Sequence, residues 1–253
     1  MAAPLAVVTG ASSGIGEAFS HQLSHQGFRV LAVARRIDRL AALEVRTQGR
    51  VIGLQQDLRL PDAAGVVAQR ADDLGGADLL VSNAGRGVFG PFDELDGQDA
   101  RDIIQLNVTF PVDLIHRLLP TMLARRRGGV IVVTSAGAHY STPNLAVYGG
   151  TKAFLLSFTE ALATELRGTG VRVSALCPGP TASEFGQVAG MSGLLDGAPG
   201  LMTPDQVAAA GLRAWRRGRV VHLPGGLNRV MTATMSRLPR SVTRRIVAGV
   251  FHP

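Results

Sequence analysis

Cysteine is nearly missing from this chain: Cys177 is the only one in 253 residues. An intramolecular disulfide and a cysteine-based zinc cluster are therefore both excluded. Long hydrophobic runs are missing as well, and no apolar stretch approaches the ~18 residues of a membrane span. No basic segment precedes an apolar one at the N-terminus, so a secretory signal is not expected and a cytoplasmic location is. Aromatic residues make up only 5%. With no nucleic-acid-binding motif beside them, they exclude a nucleic-acid surface as the meaning of the formal net charge of +7. Carboxylates stop at Asp205, yet nine arginines follow it. Removing those nine from the 26 basic residues leaves 17 against 19 acidic ones, so the positive charge belongs to the C-terminal end. Lysine is the rarest charge of all. Twenty-five of the 26 basic residues are arginine and one, Lys152, is lysine, the type whose pKa surroundings can tune.

What is present describes a globular chain with a large core, 46% hydrophobic and 18% charged. Short β-branched runs recur at residues 5–8, 30–33, 51–54, 79–81, 130–133, 171–176 and 220–223. Between them lie segments with helical apolar spacing, such as Ala18-Phe19-Leu23 and Phe154-Leu155-Phe158-Leu162-Leu166. Strand–helix alternation of this kind predicts a single doubly wound α/β domain, with a parallel sheet of about seven strands and helices on both faces. Residues 1–226 form that domain in this reading. Within it, residues 179–200, rich in Gly, Ala, Ser and Pro, read as a substrate lid carrying Phe185, Met191, Leu194 and Leu195. Residues 227–253 read as a basic helical tail with Leu227, Val230, Met231, Met235 and Leu238 on one face.

The chemistry is carried by short motifs. "TGASSGIG" (9–16) follows the first apolar run, and a Gly-rich turn between strand and helix lets backbone N–H groups approach a phosphate. Gly10 makes the turn, Gly14 permits close approach and Gly16 allows tight packing. "SNAG" (82–85), Asn107, "VTSAG" (133–137), "YGGTK" (148–152) and "CPGPT" (177–181) follow in order. Nearly all fall at or after the carboxyl ends of predicted strands, where open α/β sheets bind ligands. Tyr148 and Lys152 lie one helical turn apart, so the ammonium can stabilise the ionised phenol. A hydrolase triad of Ser135 and His139 is excluded, because the Gly-x-Ser-x-Gly elbow is absent. His21 and His25 are four apart, but no acid or cysteine completes a metal site, and none is expected.

From Thr9 to about the seventh strand, this ordered set closely resembles the short-chain dehydrogenase/reductase family, in its ~250-residue Tyr-x-x-x-Lys branch. The resemblance implies a Rossmann-type fold and a catalytic set of Asn107, Ser135, Tyr148 and Lys152. Tyr148 would be the general acid, Lys152 would also hold the nicotinamide ribose, Ser135 would bond the substrate oxygen and Asn107 would hold a relay water. For the cofactor it implies Gly10, Ser12, Ser13, Gly14, Ile15 and Gly16 at the pyrophosphate. Asp57 and Leu58 would meet the adenine, Asn83 and Gly85 the adenosine side, and Pro178, Gly179 and Thr181 the carboxamide. The second strand ends "VARR". In place of the acid that an NAD enzyme uses for its ribose hydroxyls stand Ala34, Arg35 and Arg36, and a guanidinium can pair with a 2′-phosphate. NADP is the expected cofactor.

Substrate contacts are expected from Ser135, His139, Tyr140, Tyr148 and Phe185. The expected activity is interconversion of a lipophilic carbonyl and its alcohol. A steroid, sugar or xenobiotic alcohol dehydrogenase of the same family, or a non-catalytic NADP-binding sensor or scaffold, stand as alternatives. The family implies a homodimer or homotetramer. Three readings of the tail stay open: packing over the substrate mouth, bridging subunits, or peripheral contact with an anionic membrane. Packing is the default, since amphipathic helices usually bury their stripe.

Overall fold

The computed structural model describes residues 3–191, 193 and 197–250. Two lid residues expected to be apolar anchors, Leu194 and Leu195, lie outside the described residues. The β-branched runs become β1 (Leu5–Thr9), β2 (Arg29–Ala34), β3 (Val51–Gln55), β4 (Leu79–Ser82), β5 (Gly128–Val133), β6 (Val171–Leu176) and β7 (Val221–His222). They pair in parallel throughout, in the order β3-β2-β1-β4-β5-β6-β7. Only β7 is much shorter than its apolar run, ending just before Pro224, which has no N–H to extend the ladder.

The helices are α1 (Gly14–His25), α2 (Ile37–Arg46), α3 (Ala63–Asp73), α4 (Gly97–Ile104), α5 (Phe110–Ala124), α6 (Ala146–Glu165), α7 (Phe185–Val188), α8 (Pro204–Arg216), α9 (Gly226–Arg237) and α10 (Arg240–Val250). A π-helical turn, Gln105–Thr109, joins α4 to α5. Strand side chains alternate between two cores. Leu5 and Val7 of β1 pack with Val67 of α3, Leu114 and Leu118 of α5 and Leu155 of α6. Ala6 and Val8 pack on the other face with Phe19 and Leu23 of α1, Leu40 and Leu43 of α2 and Leu212 of α8. Both faces of the strands are buried, which is why the runs are continuously apolar. Thr203 caps α8 in a reciprocal box with Gln206, its Oγ1 accepting from the Gln206 N–H at 3.2 Å.

After β3 the chain crosses to the far side of β1 to start β4. The connections leaving β1 and β4 therefore diverge, opening a crevice at their carboxyl ends. Every motif read from the sequence converges on that edge of the sheet.

Candidate active site

The glycine turn is built from β1 outwards. Thr9 is fully buried, and its Oγ1 accepts from the backbone N–H groups of Asn83 and Ala84, each at 3.0 Å. Asn83 answers by donating its side-chain amide to the carbonyls of Thr9 (2.9 Å) and Gly10 (3.3 Å). The Asn83 side chain thus holds the loop's shape. Gly10 and Gly14 adopt positive φ (67° and 55°), a region costly for other residues. A side chain at Gly16 would run into the Gly10 carbonyl and the Asn83 amide. The result is a cradle of bare backbone at the N-terminus of α1, with Ser12, Ser13 and Ile15 between the glycines, shaped for a phosphate group.

Beside the cradle, Arg36 reaches back from the start of α2. Its Nε and Nη2 donate to Ser12 Oγ at 3.2 and 3.1 Å. Its Nη1 pairs at 2.8 Å with Glu184, which also meets Arg39 at 3.4 Å. These guanidiniums hold the Glu184 carboxyl below its usual range. Arg35 is exposed and contributes its carbonyl to Gln55. Asp57 is taken up by an ion network that pattern reading did not anticipate. Arg59 pairs with Asp57 at 2.7 Å and with Asp102 at 2.6 Å, and Arg86 pairs with Asp99 at 2.8 Å. Hydrogen bonding from Arg59 lowers the Asp57 pKa. The Asp57 carboxylate is therefore a strut between the β3 end and α4, next to buried Leu58.

The catalytic candidates meet between the π turn, the β5 end and α6. Asn107, fully buried, accepts from the Arg86 N–H (3.0 Å) and donates to the Arg86 carbonyl and Thr151 Oγ1 (3.0 Å each). This fixes the chain next to Gly85, where a side chain would stand 3.2 Å from Asn107 Oδ1 and 3.3 Å from Lys152 Nζ. Lys152 is buried and donates to the Val133 carbonyl at 2.9 Å. Its ammonium lies 5.7 Å from the centre of the Tyr148 ring. Burial drives the Lys152 pKa down to about 8. Burial also pushes the Tyr148 phenol up to about 12, opposed by a hydrogen bond from Ser135. Ser135 is half-buried, and its Oγ also accepts from the Gly137 N–H at 3.1 Å. Pro178 accepts from the Ala136 N–H at 2.7 Å, joining the β5 and β6 loops. Thr181 Oγ1 bonds the Gly179 carbonyl at 3.0 Å. Gly179 is itself pressed against Asn228 of α9, a buried contact that the motifs do not signal.

The residues expected around the substrate separate into two places. Phe185 lies over Tyr148, ring centres 5.2 Å apart, in a cluster with Phe89, Leu145, Ala189 and Met191. His139 and Tyr140 line a cleft of about 620 Å³, with Gly149 and Ala153 of α6 and Met235, Leu238 and Arg240 of the tail. Neither Ser135 nor Tyr148 lies on its walls. Between Ser135 and His139 the chain forms the 3₁₀ turn Ala136–His139, capped by the Ser135 side chain. Burial lowers the His139 pKa.

Comparison with known proteins identifies the family. The pattern of the family described as short chain dehydrogenase matches residues 4–190. An uncharacterised oxidoreductase of Myxococcus xanthus is 38% identical over 184 residues, 71% of this chain and 73% of that one. Serine 3-dehydrogenase of Agrobacterium fabrum is 35% identical over 181 residues, covering 71% and 72%. A short-chain dehydrogenase from Sphingobium yanoikuyae, solved in complex with NADPH, superposes with a TM-score of 0.83 at 28% identity, over 93% of this chain and 96% of that one. The protein is an oxidoreductase belonging to the short-chain dehydrogenase family.

Proposed function

We propose that this oxidoreductase interconverts a carbonyl and an alcohol with NADP(H), and that its substrates are lipophilic. The observation that carries the reading is Tyr148, flanked by Ser135 and Lys152 beneath the apolar residues of the lid. The cofactor fits this chain's own features. A backbone cradle that a Cβ would fill suits a pyrophosphate, and Arg36, braced by Ser12, pairs with a carboxylate where a 2′-phosphate would be the stronger anion. When bound, the nicotinamide supplies the hydride in reduction or takes it in oxidation.

The chain's residues do the rest. Ser135 orients the carbonyl oxygen and stabilises the charge that develops on it. Tyr148 transfers its phenolic proton to that oxygen. Lys152 stabilises the phenolate left behind, and Asn107 fixes the backbone from which a water could reprotonate it. The proposal extends to a homo-oligomer joined through α6, whose outer face carries exposed Phe154 stacked on Phe158.

The substrate class is tested by reduction of ketones and aldehydes of increasing chain length. kcat/KM should rise with each methylene until the pocket is filled, and a flat or falling series would remove the lipophilic reading. A pH profile tests the proton path. Reduction needs a protonated Tyr148 and a charged Lys152, and Lys152 is the first of the two to lose its proton as pH rises. kcat/KM for NADPH should therefore decline on an alkaline limb near pH 8. A profile still level at pH ~10, near the ordinary lysine value, would contradict the assignment.

A further inference from the structure

We infer that α9 and α10 form an interfacial surface that docks this protein on anionic lipid bilayers. The inference rests on the tail alone and not on the reading of the catalytic site. Its first support is charge. No carboxylate follows Asp205 in the sequence. Arg229, Arg237, Arg240, Arg244 and Arg245 have no carboxylate partner among the described residues.

The second support is that the tail leaves much of its apolar surface facing outward. Of the expected stripe of Leu227, Val230, Met231, Met235 and Leu238, only Met235 and Leu238 turn towards α6, and the first three face outward. Asn228 and Thr232 are the buried residues of α9. Asn228 donates its amide to the Gly200 carbonyl at 3.0 Å and the Pro224 carbonyl at 3.3 Å, so polar bonds staple the helix down. Leu227, Val230 and Met231 are left 50%, 64% and 43% exposed. α10 repeats the arrangement. Thr243 and Val247 face inward, with Thr243 Oγ1 donating to the Met235 carbonyl at 3.0 Å, while Val242 and Ile246 are each 38% exposed. Five large aliphatic side chains thus stand in water between residues 227 and 246, interleaved with five arginines.

The occupant must satisfy both sets. A nucleic acid or an acidic protein face would pair the guanidiniums and leave the aliphatic groups wet. A second copy of this chain packed tail against tail would bury the aliphatic groups but set arginine against arginine with no acid to intervene. An anionic bilayer takes both, with aliphatic groups entering the acyl boundary and arginines meeting headgroups. No helix among the described residues is long and apolar enough to cross a membrane, so the contact is superficial. The cleft lined by His139 and Tyr140 shares this tail as its wall, so docking would hold that cleft near the lipid surface.

The test is sedimentation of the full chain with vesicles of phosphatidylglycerol and phosphatidylcholine, and with phosphatidylcholine alone. Two double variants accompany it, Val230→Ser/Met231→Ser and Arg237→Gln/Arg245→Gln. All four positions are exposed, and thermal melting checks that each variant folds. The wild type should sediment with the anionic vesicles only, and should be released at about 1 M salt, where charges are screened beyond ~3 Å. Each arginine near the surface contributes about fivefold to partitioning, so the arginine variant should lose at least tenfold. The aliphatic variant should lose a similar factor. Absence of sedimentation at low salt overturns the proposal. So does full binding by the aliphatic variant, which would mean unspecific charge attraction. A concentration-dependent dimer abolished by the same variants would assign the face to self-association instead.

Discussion

Tyr148→Phe is expected to lower kcat at least ~100-fold while leaving NADPH binding nearly unchanged, since one general acid typically supplies that much. The substitution deletes one hydroxyl. The ring that packs against Phe185 is kept. Gly87, whose hypothetical side chain would touch Tyr148 and Phe185 at 3.2 and 3.3 Å, keeps its neighbours as well. The phenol that burial holds protonated up to about 12 is gone, and with it the proton for the carbonyl oxygen. Steady-state rates and a fluorescence titration of NADPH separate the two effects. Near-normal turnover by the variant would dismiss Tyr148 as the donor, whatever its surroundings.

The second large effect is expected at Arg36. Arg36→Ala should reduce kcat/KM for NADPH by roughly 10- to 100-fold and change that for NADH by less than about threefold. A hydrogen bond to a charged group is worth ~1.5–3 kcal/mol, and only NADPH carries the 2′-phosphate that would use it. Glu184→Gln serves as its counterpart. Removing the carboxylate that now pairs with Arg36 at 2.8 Å should tighten NADPH binding, since an internal competitor is lost. A wild type that already prefers NADH, or an Arg36 variant equally impaired with both cofactors, would refute the phosphate reading.

Much of this site is legible in the chain because its parts are local. The Gly10 and Gly16 constraints lie within eight residues of sequence, and the Tyr148–Lys152 pair is one turn of a helix. Continuous β-branched runs could mean only strands covered on both faces, and strand–helix alternation forces those strands to be parallel. What could not be read is what folding brings together from far away. The Arg36–Glu184 pair joins the β2 end to the segment before α7 across 148 residues. Arg59 reaches Asp102 across 43, which sets Asp57, an expected adenine contact, in an ion network that the motifs do not signal. Asn228 packs against Gly179, and neither sequence neighbourhood announces the other. The tail's contacts were not legible for a physical reason. Helical periodicity shows that residues share a face, and it cannot say whether protein or solvent lies opposite that face. His139 shows the same limit at short range, since its place in a cleft walled by the tail could not be read from its distance to Ser135 in sequence.

The central claim is hydride transfer to a carbonyl carbon with the proton delivered by Tyr148. Following deuterium from nicotinamide-deuterated NADPH through the ketone series tests it most directly, by mass spectrometry of the alcohol formed. The account predicts one deuterium on the carbinol carbon, with transfer greatly slowed in Tyr148→Phe. An alcohol without deuterium, label released to water, or no consumption of NADPH with any carbonyl would contradict it.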